Sequence, residues 1–568
     1  MTTATPSHYD LIVIGSGAGG LATAVTAAHF GLKVLVLEKA DVLGGTTAWS
    51  GGWLWIPRNP LAQQAGIHEA AEQPLQYLIS KIGTEADNPK TRRFLEVAPQ
   101  MVEFFQTQTA LRFIDGNKIP DFYPIVGNAT GGRSLCAAAF DGRELGAAIN
   151  DLRQPLSVIS IAGMGIASGA DIRNFYNATR SVPAAWYVMK RLGKHAWDLL
   201  RYQRSMQLVN GNALIARLLK SALDKGVEYR TKVQVLELVK DGERVTGVKI
   251  TGQGKTETLV ANKAVVLAAG GFPHDKARQA QWFKPENGAQ HYSAAPKTNT
   301  GDGIKLAERA GAQLSNFTNA GAWSPVSLVP TRSGDAIHFP HLIERAKPGI
   351  IAVLPNGKRF VSEADSYHEF MAQLFKVTPA GQDPCCWLIA DHKAQRRWGL
   401  GWAKPFPFPL YTYLKSGYLK RAKTLQELAA QCGIDAANLT ETLKTFNADA
   451  LQGTDRQFQR GESPYNRIQG DPEHAPNPSL APLTQAPFYA VKLVAGSLGT
   501  FAGIQTNENA QVLNTDQQPI QGLFAVGNDM ASIFQGHYPS GGITLGPAMT
   551  FGYVIGCTLA NQAFTLQS

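Results

Sequence analysis

The chain opens on an apolar run of strand length at 9–14, a glycine cluster at 15–20 and an alanine-rich stretch of helical length at 21–30. Gly31 closes that helix, 33–37 is a second apolar run, and Glu38 follows it. From 55 to 225 the pattern reads mainly helical, with helices expected at 69–81, 95–107 and 183–204. A strand pair is expected at 228–237 and 245–250, and 263–269 reads as a buried strand ending in Gly270, Gly271 and Phe272. A helix is expected to open at 300–303. Residues 304–483 change texture, with more aromatics, polar loops and the alternating Pro/Phe run at 405–409. From 484 the apolar strand pattern returns, at 488–493 and again at 522–529. The pattern therefore predicts a first domain over 1–303, an inserted domain over 304–483, and a return to the first domain over 484–568.

The first forty residues carry the clearest chemistry. Gly15, Gly17 and Gly20, with Ala18 and Gly19 between them, form a GxGxxG turn placed between a strand and a helix. Such a turn lets the backbone approach a pyrophosphate, which the helix N-terminus then stabilises. Glu38, 18 residues beyond Gly20, is placed to accept hydrogen bonds from a ribose diol, with Lys39 beside it. The next loop is rich in Gly, Thr and Ser: Gly44, Gly45, Thr46, Thr47, Ser50, Gly51 and Gly52. It offers backbone N–H groups and short hydroxyls to a second cofactor segment, which an extended FAD needs and NAD does not. Val235, Ala269, Gly270, Asp302, Gly527, Asn528, Asp529, Thr544 and Leu545 are expected to complete the FAD surface, Asp529 through the ribityl chain. No His occurs between 31 and 67, so the FAD is expected to be non-covalent. The fold class expected is α/β (α+β overall): a Rossmann-type FAD-binding domain with an inserted α+β substrate-binding and catalytic domain.

Composition narrows the field. Of 568 residues, 44% are hydrophobic and 17% charged. That load is below the usual ~25% and excludes a disordered tail or a solvated helical rod. The 56 glycines and 32 prolines have no G-X-Y period, which excludes collagen. The net charge of +10 is spread without a Lys/Arg run, so a basic enzyme surface is expected and no nucleic-acid partner. Five cysteines, with Cys385 and Cys386 adjacent and no metal spacing, read as free thiols in a reducing, cytoplasmic compartment; no metal site is expected. Residues 1–8 have no charged, then apolar, signal pattern. Residues 530–568 hold no Asp, Glu, Lys or Arg, yet Gly541, Gly542, Gly546, Pro547, Gly552 and Gly556 suit a buried helix against a ligand better than a membrane span. The stretch 186–204 mixes Trp186, Tyr187, Trp197 and Tyr202 with five Lys and Arg residues. A packed helix with a solvated basic face is the simpler reading. A peripheral membrane contact that collects a lipophilic substrate is the alternative.

Taken together, the N-terminal unit, the 44–52 loop and the segments 140–146, 357–363 and 536–552 resemble the fumarate reductase/succinate dehydrogenase flavoprotein superfamily, and within it the 3-oxosteroid 1-dehydrogenases. The resemblance covers essentially the whole chain. It implies introduction of a C1–C2 double bond into a 3-ketosteroid, hydride passing to flavin N5 and a C2 proton to a tyrosine base. It places that base at Tyr367, after Ser362-Glu363, and the carbonyl donors at Tyr538 and the Gly542 N–H. A helix starting near Thr544 would aim its positive end at the flavin pyrimidine. Fumarate reductases carry an Arg before these glycines, whereas 536–552 is uncharged here, which argues against a dicarboxylate. The family supports its base with a second tyrosine from an Asp-Tyr-Tyr-Pro segment; here 121–124 reads Asp-Phe-Tyr-Pro, so either Phe122 or Tyr123 stands at that position. That departure keeps open a flavin dehydrogenase or reductase acting at another steroid position or on another apolar ketone or enone, with a fumarate-type enzyme less favoured. A quinone-like acceptor is expected to take the electrons.

Overall fold

The protein is described by a computed structural model covering residues 7–252, 254–283 and 290–564. The expectations for 1–6 and for the last four residues lie outside these. The apolar run becomes the strand Ser7–Ile14, and Ala18–His29 forms helix α1, buried over its first ten residues. Ser7–Ile14 pairs in parallel with Val34–Leu37 on one side and with Lys255–Leu267 on the other. Glu228–Arg230 and Pro519–Ala525 extend this sheet in parallel at its two sides. Every residue of Val34–Leu37 is buried, as a parallel strand covered on both faces requires.

Several expected boundaries shift. The run 228–237 splits, because Glu228–Arg230 joins the parallel sheet while Gln234–Asp241 starts an antiparallel meander with Arg244–Gly252. The buried strand expected at 263–269 begins at Lys255, since its first half completes that meander. Helices form at Gln73–Ile82, where Pro74 fixes the first turn, and at Pro89–Gln108, where the Asn88 side chain caps Thr91 N–H. The 55–225 region is less helical than its pattern suggests. Trp53–Trp55, Ser134–Ala137 and Phe113–Asp115 form a small antiparallel sheet there, and irregular chain is pinned by the buried guanidinium of Arg204 on the carbonyl oxygens of Ile149 and Leu152.

Helix α2 (Val182–Tyr202) is turned inside out. Arg191, His195 and Asp198 are buried, whereas Val182, Trp186, Met189, Trp197 and Leu200 are 55–83% exposed. These five recur every three or four residues or at multiples of that spacing, so they form one stripe. The expected solvated basic face is therefore an apolar one flanked by exposed Lys190, Lys194 and Arg201.

A second, antiparallel sheet has Ala336–Pro340, Val326–Pro330, Phe488–Val494, Cys385–Ala390 and Ile350–Val353 in that order. The strand at 488–494 was expected in the returning first domain. It sits at the middle of the second sheet, because an apolar run satisfies either core and only the pairing decides. Helix α3 (Tyr367–Val377) follows this sheet's Ile350–Val353 strand in the chain, capped by the Ser366 hydroxyl on Glu369 N–H, and α4 (Pro464–Gln469) is capped by Ser463 on Asn466 N–H. The stretch leading to α3 is anchored by Glu363, whose carboxylate meets Arg359 at 2.7 Å and Arg460 at 2.9 Å with all three buried. Burial alone would raise this carboxyl, but the two guanidiniums hold it down to about 2. Breaking such a buried pair from one side costs about 3–5 kcal/mol, so the approach to Tyr367 is rigid. Finally α5 (Leu545–Leu559) packs, buried over most of its length, against α1. Among the described residues no helix is long and apolar enough to cross a membrane. All five cysteines are free thiols.

Candidate active site

A connected cavity of 1810 Å³ extends from the glycine turn to a wall that includes Tyr367, Trp398 and Tyr465. Its first half is lined by Gly15, Gly17, Ala18, Gly19 and Gly20, by Glu38 and Lys39, and by Gly45, Thr46, Thr47, Ser50, Gly51 and Gly52. Val235, Ala269, Gly270, Asp302, Gly527, Asn528, Thr544 and Leu545 also face it. The turn is built for close approach. Gly15 has φ +110°, and a β-carbon there would stand 2.1 Å from the Ala268 carbonyl oxygen. The first turn of α1 has no acidic residue; Ala18 N–H donates to Thr47 Oγ1 at 3.2 Å, and the positive end of the helix favours an anion. Glu38 accepts from Ser16 Oγ at 2.6 Å and from Ala40 N–H at 2.8 Å, and these bonds aim the carboxylate along the cavity wall. Lys39 Nζ reaches Asp302 at 2.5 Å and Thr300 Oγ1 at 2.7 Å, tying the two sides of the groove together. A glycine-lined cradle, a helix N-terminus facing the cavity and a glutamate at its wall fit an FAD.

Two expected cofactor residues do not face the cavity. Gly44 lies behind it, with its N–H bonded to Ser16 Oγ at 2.9 Å. Asp529 is fully buried and accepts from Ala269 N–H at 2.6 Å and Gly271 N–H at 2.8 Å. Its carboxylate holds the 269–271 turn and does not line the cavity. Burial pushes its carboxyl up to about 6 in spite of those two donors.

The second half of the cavity is aromatic. Tyr367 at the start of α3 and Tyr538 just before α5 pack edge to face, with ring centres 5.0 Å apart. The Tyr367 and Thr544 hydroxyls both act to favour the ionised form of Tyr538, against the larger effect of burial. Gly542, which also lines the cavity, has φ +96°, and a β-carbon there would meet the Trp53–Leu54 backbone at 2.7 Å. The sequence expectation that Tyr367, Tyr538 and Gly542 share one site is therefore what the geometry brings together. Burial, with the neighbouring Tyr538, raises the Tyr367 hydroxyl well above its ordinary range, and burial pushes Tyr538 up to about 12.

Phe122 is the residue that reaches this cluster. Its ring centre lies 5.7 Å from that of Tyr367, 5.8 Å from Tyr538 and 4.5 Å from Tyr465. Tyr123 turns away from this cluster. Its hydroxyl meets Glu369 at 3.4 Å, the Lys81 ammonium covers its ring at 3.5 Å, and it does not line the cavity. Tyr123 is thus removed from the candidate catalytic set.

Two participants escape sequence reasoning. Tyr465, on α4, is 3% exposed and faces the cavity beside Phe122. The buried Arg345 guanidinium donates to the carbonyl oxygens of His341, Glu363 and Asp365, and its charge favours the ionised forms of both Tyr367 and Tyr465 against the larger opposing effect of burial. The Ser463-Pro464 signal marks the start of α4, but nothing local to 463–470 places Tyr465 against residue 122.

This constellation defines a class: an FAD-dependent oxidoreductase whose substrate chamber is walled by tyrosines. Residues 10–545 match the FAD binding domain family. The chain is 38% identical over 558 residues to 4-oxocyclohex-2-ene-1-carboxylate 5-dehydrogenase of Sinomonas cyclohexanicum, covering 98% of this chain and 94% of that one. It is 33% identical over 577 residues to 3-oxosteroid 1-dehydrogenase of Mycobacterium tuberculosis, covering 98% and 99%. Its fold superposes with TM-score 0.90, at 35% identity and covering 98% and 100%, on 3-ketosteroid delta1-dehydrogenase from Sterolibacterium denitrificans in complex with 1,4-androstadiene-3,17-dione. The chain belongs to the FAD binding domain family, in the branch that holds the 3-oxosteroid 1-dehydrogenases.

Proposed function

We propose that this enzyme removes the C1 and C2 hydrogens of a 3-ketosteroid. The observation that carries this reading is the buried Tyr367–Tyr538 pair facing the cavity beside Gly542. Bound FAD supplies the two-electron oxidation such a desaturation requires. Tyr538 O–H and Gly542 N–H donate to the ketone oxygen, which acidifies the neighbouring C–H. Tyr367 takes the C2 proton. Arg345 stabilises the charge on Tyr367 from behind, and the apolar walls exclude water. The relatives' printed names share a ring ketone, and the uncharged 536–552 segment suits a neutral carbonyl. The test is dye-linked turnover of 4-androstene-3,17-dione with product mass: loss of two hydrogens supports the reading, and turnover of succinate in its place overturns it.

Because the Tyr367 hydroxyl lies above its ordinary range, its ionised form is scarce at neutral pH and the rate rises with pH. Phe122→Tyr places a donor hydroxyl at the cluster and favours the phenolate. We expect the pH–rate profile to move to lower pH and the rate at neutral pH to rise about tenfold. An unmoved profile would show that position 122 does not act on the base.

The apolar stripe of α2 is best accounted for by a lipid surface. Val188, Met189 and Leu192 of the same helix line the cavity mouth with Phe406 and Phe408, both part-exposed, so a docked helix hands a lipophilic substrate directly to the chamber. Lys190, Lys194 and Arg201 flank the stripe, as anionic headgroups require. A quinone-like acceptor in the same bilayer suits this placement, and the free thiols suit its cytoplasmic side. Sedimentation with vesicles containing phosphatidylglycerol should carry down the protein, and Trp186→Glu with Trp197→Glu should abolish binding while the protein stays yellow. Equal sedimentation of both forms would remove α2 as the docking element.

A further inference from the structure

The two ketone donors, Tyr538 and Gly542, stand on a stretch that carries neither helix nor strand between 535 and 544, so no ladder of backbone bonds fixes their separation. Two peptide carbonyls tie this stretch down. The Gly542 carbonyl oxygen accepts Trp55 N–H at 3.1 Å and Gly546 N–H at 2.9 Å, both from backbone. The Pro539 carbonyl oxygen, directly after Tyr538, accepts Phe122 N–H at 3.1 Å and the Tyr77 hydroxyl at 2.6 Å. Tyr77 lies on the helix Gln73–Ile82, 462 positions earlier in the chain. Proline has a fixed φ and no N–H, so its carbonyl is the polar backbone group by which this peptide can be held.

The Tyr77 oxygen also accepts Tyr123 N–H at 3.4 Å, which directs its single proton to Pro539. Tyr77 is fully buried, and burial raises its hydroxyl above the ordinary range, so it stays a donor at every working pH. Its ring lies 5.6 Å from the Arg133 guanidinium, which holds Asp121, the residue before Phe122, at 2.7 Å. A β-carbon on Gly127 would stand 2.4 Å from the Tyr77 backbone nitrogen, so the chain around the ring is closely packed. One hydroxyl thus joins the helix, the segment carrying Phe122 and the ketone-binding stretch. Tyr77 itself does not line the cavity. We propose that Tyr77 is a positioning residue: by fixing the Pro539 peptide it makes Tyr538 O–H and Gly542 N–H converge on one ketone oxygen. This rests on the ring-ketone dehydrogenation proposed above.

The test is Tyr77→Phe on the FAD-loaded enzyme, a change that removes one hydroxyl and keeps the ring. With 4-androstene-3,17-dione, kcat per bound FAD should fall about tenfold, as a small misplacement of catalytic donors costs. KM should stay within about twofold, because the chamber walls are untouched. A second readout needs no turnover. The infrared stretch of the C3 carbonyl of bound 1,4-androstadiene-3,17-dione should lie lower on the wild-type enzyme than in solution, as two donors polarise it. Tyr77→Phe should move it back toward the solution value. An unchanged kcat, a change confined to KM, or a lowered kcat with the stretch unmoved would overturn the positioning role and leave the ring-ketone reading standing. Wild-type enzyme that leaves 4-androstene-3,17-dione unconverted would overturn both.

Discussion

Tyr367→Phe should lower the rate of ketosteroid dehydrogenation by about 10²- to 10⁴-fold, the contribution of a positioned general base. The substitution removes one hydroxyl at a site that is 8% exposed and leaves the ring contacts with Phe122 and Tyr538 in place. The stability lost with its hydrogen bond is about 1 kcal/mol, too little to unfold a domain of this size. The variant should therefore still be yellow and still change its flavin spectrum on binding steroid, yet fail to bleach. The check is anaerobic rapid mixing, which separates binding from chemistry. Unaltered bleaching would move the base elsewhere, to Tyr465 first.

Tyr538→Phe should cost about 10²- to 10³-fold in kcat, as loss of one oxyanion-type donor does. Tyr538 is 3% exposed and its ring packs against Phe122, Tyr367, His368 and Phe501, which holds its oxygen in place. Its loss leaves the Gly542 N–H as the remaining ketone donor. Because the donor matters most as charge develops on the ketone oxygen, kcat should fall further than KM rises. Steady-state kinetics on 4-androstene-3,17-dione measures both, and a change confined to KM would make Tyr538 a binding contact only.

What was legible in the sequence was local. The glycine turn, α1 and Glu38 fall within thirty residues, and their spacing alone dictates the cradle. Tyr367, Tyr538 and Gly542 came from a resemblance carried by contiguous motifs. The misreadings concern partners far apart in the chain. Asp529 at a strand end reads as a ribityl ligand, and its carboxylate instead holds Ala269 N–H, 260 residues away, from behind the cavity wall. The run at 488–493 is apolar enough for either sheet. Phe122 and Tyr123 differ by one position, and only the path of the irregular chain decides which reaches the cavity. Tyr465 meets Phe122 across more than three hundred residues. For α2 the sequence gives two faces but not which one turns inward, and burial of Arg191, His195 and Asp198 reverses the usual choice.

The central claim is that this flavoprotein oxidises the carbons beside a ring ketone. It is tested most directly by anaerobic mixing of the FAD-loaded protein with 4-androstene-3,17-dione, following the flavin band and the product mass. Bleaching with loss of two hydrogens from the steroid is the expected result. A flavin that stays oxidised with the steroid, but bleaches with succinate, would contradict the account.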